Sequence, residues 1–156
     1  MSIRKAAPAD LETVKRISAE TISGVYPHYY PRGAVEFFLE HHNERHIAED
    51  IELGRVFLCD DGEQHTVGTV TIKDNEICRL FVLPEYRGKG FGREMMDFAE
   101  KKIFGEYGSI KLDASLPAKA IYLKRGYVIE ATETISAKYG DFLCYDIMTK
   151  SKTNTD

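Results

Sequence analysis

Residues 76–93 read EICRLFVLPEYRGKGFGR, and in this segment a strand, a glycine-rich turn and a helix follow one another. Its first half is rich in β-branched and aromatic side chains, which favour a strand. Glycines then occupy positions 88, 90 and 92, and glycine lets the backbone approach a ligand closely. The N–H groups of the first helical turn lack partners, and the helix dipole adds partial positive charge there. The segment therefore predicts an anion site suited to a pyrophosphate.

Two other glycine-rich phosphate loops fail on spacing. A nucleotide P-loop has Ser or Thr directly after its lysine, whereas Gly90 follows Lys89 here. The dinucleotide fingerprint, counted from Gly88, needs a glycine where Arg93 stands. A tight strand-to-helix turn without any ligand stays open on the glycines alone. Arg87, Lys89 and Arg93 nevertheless place positive charge around this turn in a chain with a formal net charge of -4.

Hydrophobic periodicity on both sides of the segment predicts one mixed α/β domain over residues 1–150, with no internal repeat or linker. We expect the polar tail Ser151–Asp156 to be frayed. The predicted order is a strand Ser2–Ala6, a helix Pro8–Ile22 ended by Gly24, helices around Val35–Leu39 and Ile47–Leu53, an antiparallel meander of Val56–Cys59, Thr66–Lys73 and Glu76–Leu83, a helix from Gly90, a strand Ser109–Ala114, a short helix Pro117–Arg125, and a closing hairpin of Tyr127–Ala137 and Phe142–Thr149.

Composition argues against several other classes of protein. The chain has 156 residues, of which 43% are hydrophobic and 29% charged, as in an ordinary soluble domain. Its net negative charge disfavours a broad nucleic-acid surface, and no apolar run reaches the roughly 18 residues of a membrane span. Cys59, Cys78 and Cys144 lie far apart in predicted strands, so we expect buried free thiols and a cytoplasmic location.

The four-residue spacing of His42 and His46 superficially resembles that of a zinc-binding helix. Glu44 is one place off from the H-E-x-x-H pattern, and Asn43 is expected to cap a helix between the two histidines. The sequence offers no evident third ligand. We therefore expect no metal.

Two motifs resemble the GNAT superfamily of acetyltransferases. Arg87-x-x-Gly90-x-Gly92 is similar to its [QR]-x-x-G-x-[GA] signature, with the preceding strand included. Residues 112–127, LDASLPAKAIYLKRGY, are similar to a strand–helix element that often ends in A-x-x-L-Y-x-K-x-G-F. Its places are filled by Ala118, Ile121, Tyr122, Lys124, Gly126 and Tyr127.

The resemblance implies a single mixed, mostly antiparallel sheet flanked by helices, and acetyl-coenzyme A as co-substrate without a metal. The strand before the turn would pair with the pantetheine arm, and the turn would hold the pyrophosphate. Ser115 stands where many relatives carry an asparagine, which puts that contact in doubt. The implied cofactor-binding residues are Leu80, Phe81, Val82, Arg87, Gly88, Lys89, Gly90, Phe91, Gly92, Arg93, Ser115 and Tyr122.

The resemblance also implies direct attack of an amine on the thioester. Tyr122 matches a tyrosine that protonates the departing thiolate in many relatives, although a packing role is the alternative. Glu76 is the candidate base, with a solvated carboxylate as the equally open reading. Tyr29, Tyr30 and Tyr139 fall in segments that border the acceptor in relatives, and are candidate substrate contacts.

The acceptor itself stays open at this point. We expect a small-molecule amine if the acceptor pocket is closed and aromatic, and a protein lysine or N-terminus if the groove is open. A sensor that binds coenzyme A without turnover is the alternative from another functional class. Many relatives dimerise, so a homodimer is a further expectation.

Overall fold

One mixed sheet forms the centre of the protein in a computed structural model, which describes residues 1–153. In these residues the strands are β1 Ser2–Lys5, β2 Val56–Asp60, β3 Thr66–Lys73, β4 Glu76–Val82, β5 Ser109–Ala114, β6 Val128–Ser136 and β7 Phe142–Ser151. The helices are α1 Leu11–Val25, α2 Arg32–His41, α3 Glu44–Glu52, α4 Phe91–Phe104 and α5 Lys119–Lys124. The sheet order is β1-β2-β3-β4-β5-β7-β6, antiparallel throughout except for the parallel pair β4–β5.

Helices cover both faces of the sheet, and each face has its own apolar core. On one face α4 buries Met95, Ala99 and Ile103 against strand residues such as Leu112. On the other face α1, α2 and α3 form a second core together with Phe81 of β4. The predicted fold class is therefore confirmed, because the residues that recur at helical spacing are those that face the sheet. No helix within residues 1–153 is long and apolar enough to cross a membrane.

Most element boundaries follow the prediction, and the exceptions have local causes. Thr66–Lys73 and Ser109–Ala114 are strands over the predicted residues. The prediction that Gly24 ends the first helix is wrong, because α1 continues through Gly24 to Val25. The short helix begins at Lys119 rather than Pro117, after a turn in which the carbonyl of Ser115 accepts the N–H groups of Ala118 and Lys119.

The C-terminal end departs from the predicted frayed tail. Ser151 is the last residue of β7. The Lys152 N–H donates to the Gly108 carbonyl at 2.9 Å, and its Nζ donates to the Phe104 carbonyl at 2.8 Å. Lys152 is thus fixed against the end of α4. Residues 154–156 of the predicted tail lie outside the described residues.

Burial of the three thiols was predicted correctly only for Cys59, whereas Cys78 and Cys144 are exposed. Cys78 lies at an irregularity of β4. Thr71 of β3 pairs with Arg79 and Ile72 pairs with Ile77, so Cys78 has no partner in the β3–β4 ladder. An extra residue of this kind bends the strand that carries it.

The bend separates β4 from β5. Their parallel pairing consists of two residue pairs, Glu76 with Lys111 and Ile77 with Leu112. Beyond Ile77 the described part of β4 has no ladder partner on this side. A gap consequently opens in the middle of the sheet, between the second half of β4 and the end of β5.

On the face of the sheet opposite α4, hydrogen bonds and an ion pair connect α2 to the turn between β6 and β7. The Asp141 carboxylate accepts the Gly33 N–H at 2.8 Å, and Lys138 Nζ donates to Glu40 at 2.7 Å. The Tyr139 hydroxyl donates to the carboxylate of Glu36, with its oxygen 2.9 Å and 3.0 Å from the two carboxylate oxygens. These contacts hold the hairpin turn and α2 together over one end of the gap.

Candidate active site

Two cavities open on the gap between β4 and β5, and they meet inside it. The larger, which we call the donor cavity, has a volume of about 750 Å³ and is lined by the glycine turn. The smaller, the acceptor cavity, has a volume of about 160 Å³ and lies against α2 and β7. Both cavities share six lining residues: Tyr26, Leu80, Phe81, Ser115, Ala118 and Tyr122.

The glycine turn forms a concave, amide-lined end of the donor cavity. Gly88 and Gly90 have φ values of 76° and 93°, which side-chain-bearing residues rarely adopt, and a Cβ on either would point into open space. The first hydrogen bond of α4 runs from the Glu94 N–H to the Gly90 carbonyl. The N–H groups of Phe91, Gly92 and Arg93 therefore have no partner within the helix and can bind an anion.

All but one of the predicted cofactor residues line the donor cavity. Lys89 is the exception, because within residues 1–153 it is not one of the residues that line this cavity. Its ammonium instead lies 5.3 Å from the ring centroid of Tyr86. Arg87 and Arg93 line the cavity at the glycine turn and contribute positive charge there, and Lys124 and Arg125 line it as well. Ser115 lies where the two cavities meet, and its role as a cofactor contact stays a prediction.

The edge of β4 presents backbone hydrogen-bonding groups to the gap. The Leu83 N–H donates across to Val67 of β3 at 2.9 Å. Because successive residues of a strand direct their amides to opposite edges, the N–H groups of Val82 and Leu80 face the gap. The Val82 carbonyl accepts the Thr21 hydroxyl at 3.2 Å. An extended ligand could pair with this edge as an added strand.

Tyr122 lies at the junction of the cavities. Its side chain is 7% exposed and packs edge-to-face against Tyr127, with ring centroids 5.7 Å apart. Burial raises the pKa of the Tyr122 phenol well above its ordinary value, so the hydroxyl keeps its proton at neutral pH. No protein group within residues 1–153 is hydrogen-bonded to this hydroxyl, which is free to donate to a ligand.

Glu76 lies beside the acceptor cavity and, within residues 1–153, is not one of the residues that line it. It begins β4, is half-buried, and precedes the lining residues Ile77 and Cys78. Burial, and to a smaller extent the neighbouring Asp113 carboxylate, raise the pKa of Glu76. Direct contact with an amine in the cavity is therefore not evident, and its role as base stays a prediction.

The three predicted substrate tyrosines lie outside both cavity linings. Tyr30 is 7% exposed, and its hydroxyl accepts the Leu116 N–H at 2.7 Å, which fixes the loop before α5. Tyr29 is half exposed to solvent, and Tyr139 holds Glu36 on α2. Tyr26, in the same segment as Tyr29 and Tyr30, is the ring that lines both cavities.

Sequence reasoning missed several residues of the acceptor cavity. Phe37, Phe38 and His41 project from α2, and their helical spacing was the available signal. The sequence pattern indicated only a metal-ligand role for His42. Asp113 and Tyr145 come from β5 and β7, strands whose meeting depends on the sheet order.

His42 and His46, whose spacing resembles that of a zinc-binding helix, make separate contacts. His42 Nδ1 accepts the Nε–H of Arg79 at 3.2 Å, and His46 Nδ1 lies 2.8 Å from the His41 carbonyl oxygen. Asn43 caps α3, as predicted, by accepting the His46 N–H at 3.0 Å. His42 and His46 therefore do not converge on a common metal position.

A family model and solved structures match this chain. The model, described as an acetyltransferase (GNAT) domain, matches residues 25–143. A GCN5-related N-acetyltransferase from Rhodopseudomonas palustris is 26% identical with a TM-score of 0.87, covering 97% of this chain and 95% of that one. PaiA N-acetyltransferase from Thermoplasma acidophilum, solved with coenzyme A, is 22% identical with a TM-score of 0.73, covering 97% and 98%.

A third match is YncA from Salmonella typhimurium, a putative acetyltransferase solved with acetyl-coenzyme A. It is 17% identical with a TM-score of 0.68, covering 97% of this chain and 93% of that one. No curated protein sequence matches the chain significantly.

Proposed function

The chain belongs to the GNAT family of acetyltransferases, and we propose that it transfers the acetyl group of acetyl-coenzyme A to a small primary amine by direct attack. The observation that carries this proposal is the meeting of the two cavities at Tyr122. A donor bound along β4 and an acceptor bound against α2 would have their reacting atoms together at that junction. Holding two reactants in this way replaces a bimolecular encounter and lowers the barrier.

Acetyl-coenzyme A fits the donor cavity chemically. Its pyrophosphate is an anion suited to the free amides at the start of α4 and to Arg87 and Arg93. Its pantetheine arm carries amides that can pair with the N–H groups of Leu80 and Val82 at the strand edge. The two similar structures solved with coenzyme A and acetyl-coenzyme A support the same choice.

Val82 of the donor cavity and Tyr122 at the junction have distinct tasks in the transfer. The amine nitrogen attacks the thioester carbon, the C–N bond forms and the C–S bond breaks. The Val82 N–H donates to the carbonyl oxygen as negative charge develops on it. Tyr122 donates its hydroxyl proton to the departing sulfur and regains a proton from the former amine nitrogen.

An acyl-enzyme route through Cys78 is disfavoured. Cys78 lines the acceptor cavity and is the one thiol within residues 1–153 that does so. Although Cys78 is exposed, desolvation by the protein packed around its sulfur raises the pKa of this thiol to about 12, so almost none of it is thiolate at neutral pH. Because the thiolate is the nucleophilic form, direct attack by the amine is the better-supported mechanism.

The small volume and aromatic lining of the acceptor cavity support a small molecule over a protein acceptor. Its 160 Å³ is close to the roughly 150 Å³ of an engineered cavity that binds benzene. Phe37, Phe38 and Tyr145 line its walls. The contacts of Asp141 and Lys138 with α2 hold the β6–β7 turn against the helix that forms one wall of the cavity.

Asp113 adds a feature suited to a cationic amine. Its carboxylate lines the acceptor cavity, and within residues 1–153 it has no hydrogen-bonded or ion-paired partner. An ammonium group would be attracted by this charge and by the faces of the aromatic rings. Glu76, at the start of β4, adds a second negative charge near Asp113.

The substrate class is tested by thiol release from acetyl-coenzyme A. We expect turnover with 2-phenylethylamine and a kcat/KM at least about 100-fold lower for a peptide with one lysine, because the acceptor cavity holds little more than one ring. Preferential acetylation of the peptide would contradict the small-molecule assignment. Binding of acetyl-coenzyme A without turnover of either amine would indicate a sensor.

Gly90→Asp should weaken acetyl-coenzyme A binding by at least about tenfold, because it places a carboxylate at the mouth of the anion site and strains a positive φ. Calorimetric titration measures the affinity. Gly108→Asp is the matched control, since it lies beyond the other end of α4, about 20 Å away along the helix. Equal affinities of Gly90→Asp and wild type would refute the phosphate assignment.

Tyr122→Phe should lower kcat by about 100-fold or more, the usual contribution of a general acid, with little change in acetyl-coenzyme A affinity. Steady-state thiol release with 2-phenylethylamine measures this. Tyr127→Phe removes the hydroxyl of the neighbouring ring, which donates to Glu100 away from the junction, and should retain kcat. A Tyr122→Phe enzyme with wild-type kcat would remove Tyr122 from the acid role.

A further inference from the structure

Two adjacent histidines lie on the α2 wall of the acceptor cavity. His41 is the last residue of α2, and His42 follows it. Both line the acceptor cavity and neither is among the lining residues of the donor cavity. Their rings lie edge-to-face with centroids 4.9 Å apart. The two rings therefore border the space where an acceptor would bind, but their hydrogen-bonding states differ.

The tautomer of His42 is fixed by Arg79. This guanidinium is 4% exposed and is held by Asp50 at 3.3 Å and Thr71 at 3.0 Å. An arginine Nε always carries its proton, so the contact of 3.2 Å requires His42 Nδ1 to accept. The remaining ring proton is then on His42 Nε2. Burial and the positive charge of Arg79 lower the pKa of His42 well below its ordinary value, so the ring stays a neutral donor.

His41 has no such constraint. Its ring stacks on Phe37 with centroids 5.9 Å apart and an interplanar angle of 9°, which fixes its orientation. No hydrogen bond to either of its ring nitrogens is found within residues 1–153. The residue is also exposed, so a proton that it receives in the cavity can leave to solvent.

The groups around His41 favour its neutral form at pH 7. Although the residue is exposed, partial burial of its ring is the chief cause that lowers the pKa of His41, and the neighbouring His46 and Arg79 act in the same direction. Asp113 across the cavity acts in the opposite direction and is the weaker influence. His42 is neutral at this pH and adds no charge. His41 consequently has an available lone pair at a pH where the acceptor amine is an ammonium ion.

We propose that His41 takes the proton from the acceptor ammonium, and that His42 is a fixed hydrogen-bond donor that orients the acceptor. The proposal rests on the acetyl transfer proposed above. It differs from the sequence-based choice of Glu76, because His41 lines the cavity and Glu76 does not. An acceptor that uses both groups is an amine with a neutral oxygen, such as a hydroxyl or an ether, within reach of His42 Nε2.

The proton balance of the step is complete. One ammonium proton moves to His41, which leaves a neutral amine and an imidazolium. The amine nitrogen attacks, and its surplus proton replaces the one that Tyr122 gives to the thiolate. His41 then releases its proton to solvent. The products are the N-acetylated amine, coenzyme A as the thiol, and one proton.

The pH profile of His41→Gln tests the assignment, with tyramine and 2-phenylethylamine as acceptors. Wild-type kcat/KM should rise with pH through an inflection below about 6.5, the ordinary pKa of histidine. His41→Gln should lose this inflection and about 100-fold in kcat/KM at neutral pH, while binding acetyl-coenzyme A normally. His42→Gln should keep the inflection and raise KM more for tyramine, which has a hydroxyl, than for 2-phenylethylamine.

Two comparisons make the result unambiguous. His65→Gln changes an exposed histidine of the β2–β3 turn and should match wild type throughout. Nitrogen-15 NMR of the protein alone should show His42 with its proton on Nε2 and His41 titrating below about 6.5. Wild-type turnover with an unchanged His41→Gln profile, or an Nδ1–H form of His42, would overturn this assignment alone. Absence of wild-type turnover would instead overturn the proposed acetyl transfer, and this inference with it.

Discussion

The early end of the β4–β5 ladder is the constraint on which the site depends. One unpaired residue, Cys78, bends β4 away from its parallel neighbour after two residue pairs. The bend leaves the amides of Leu80 and Val82 without partners in the sheet, and backbone amides in a protein interior need a partner. A ligand with amides of its own can satisfy them. The same irregularity that interrupts the sheet therefore defines where an acyl donor would bind.

The irregularity also determines what lies on each side of the gap. Ile77 packs on the α4 face, whereas Arg79 and Phe81 turn to the face covered by α1, α2 and α3. Arg79 can thereby reach Asp50 and His42, so a residue of β4 sets the hydrogen-bonding state of a ring in the acceptor cavity. Under the proposed mechanism, residues of one strand, β4, would thus position both the donor and the acceptor.

The sequence predicts the donor side better than the acceptor side. The turn around Gly90 is local, and its residues are neighbours both in sequence and in space, so a short motif describes it. The acceptor cavity is lined by residues of α2, β5 and β7, which are distant in sequence. Spacing alone does not distinguish Tyr29, which lies outside the cavity, from Tyr26, which lines it. The bulge at Cys78 also had no signal in residue type, so the position of Glu76 could be predicted but its distance from the cavity could not.

Hydrogen exchange at β4 tests the central claim most directly. With saturating acetyl-coenzyme A, the Leu80 and Val82 amides should exchange markedly more slowly than in the free protein, because they gain partners in the gap. The Phe81 amide, which faces β3, should change little. Unchanged exchange at Leu80 and Val82, measured at full occupancy, would show that the donor does not pair with this strand and would contradict the account.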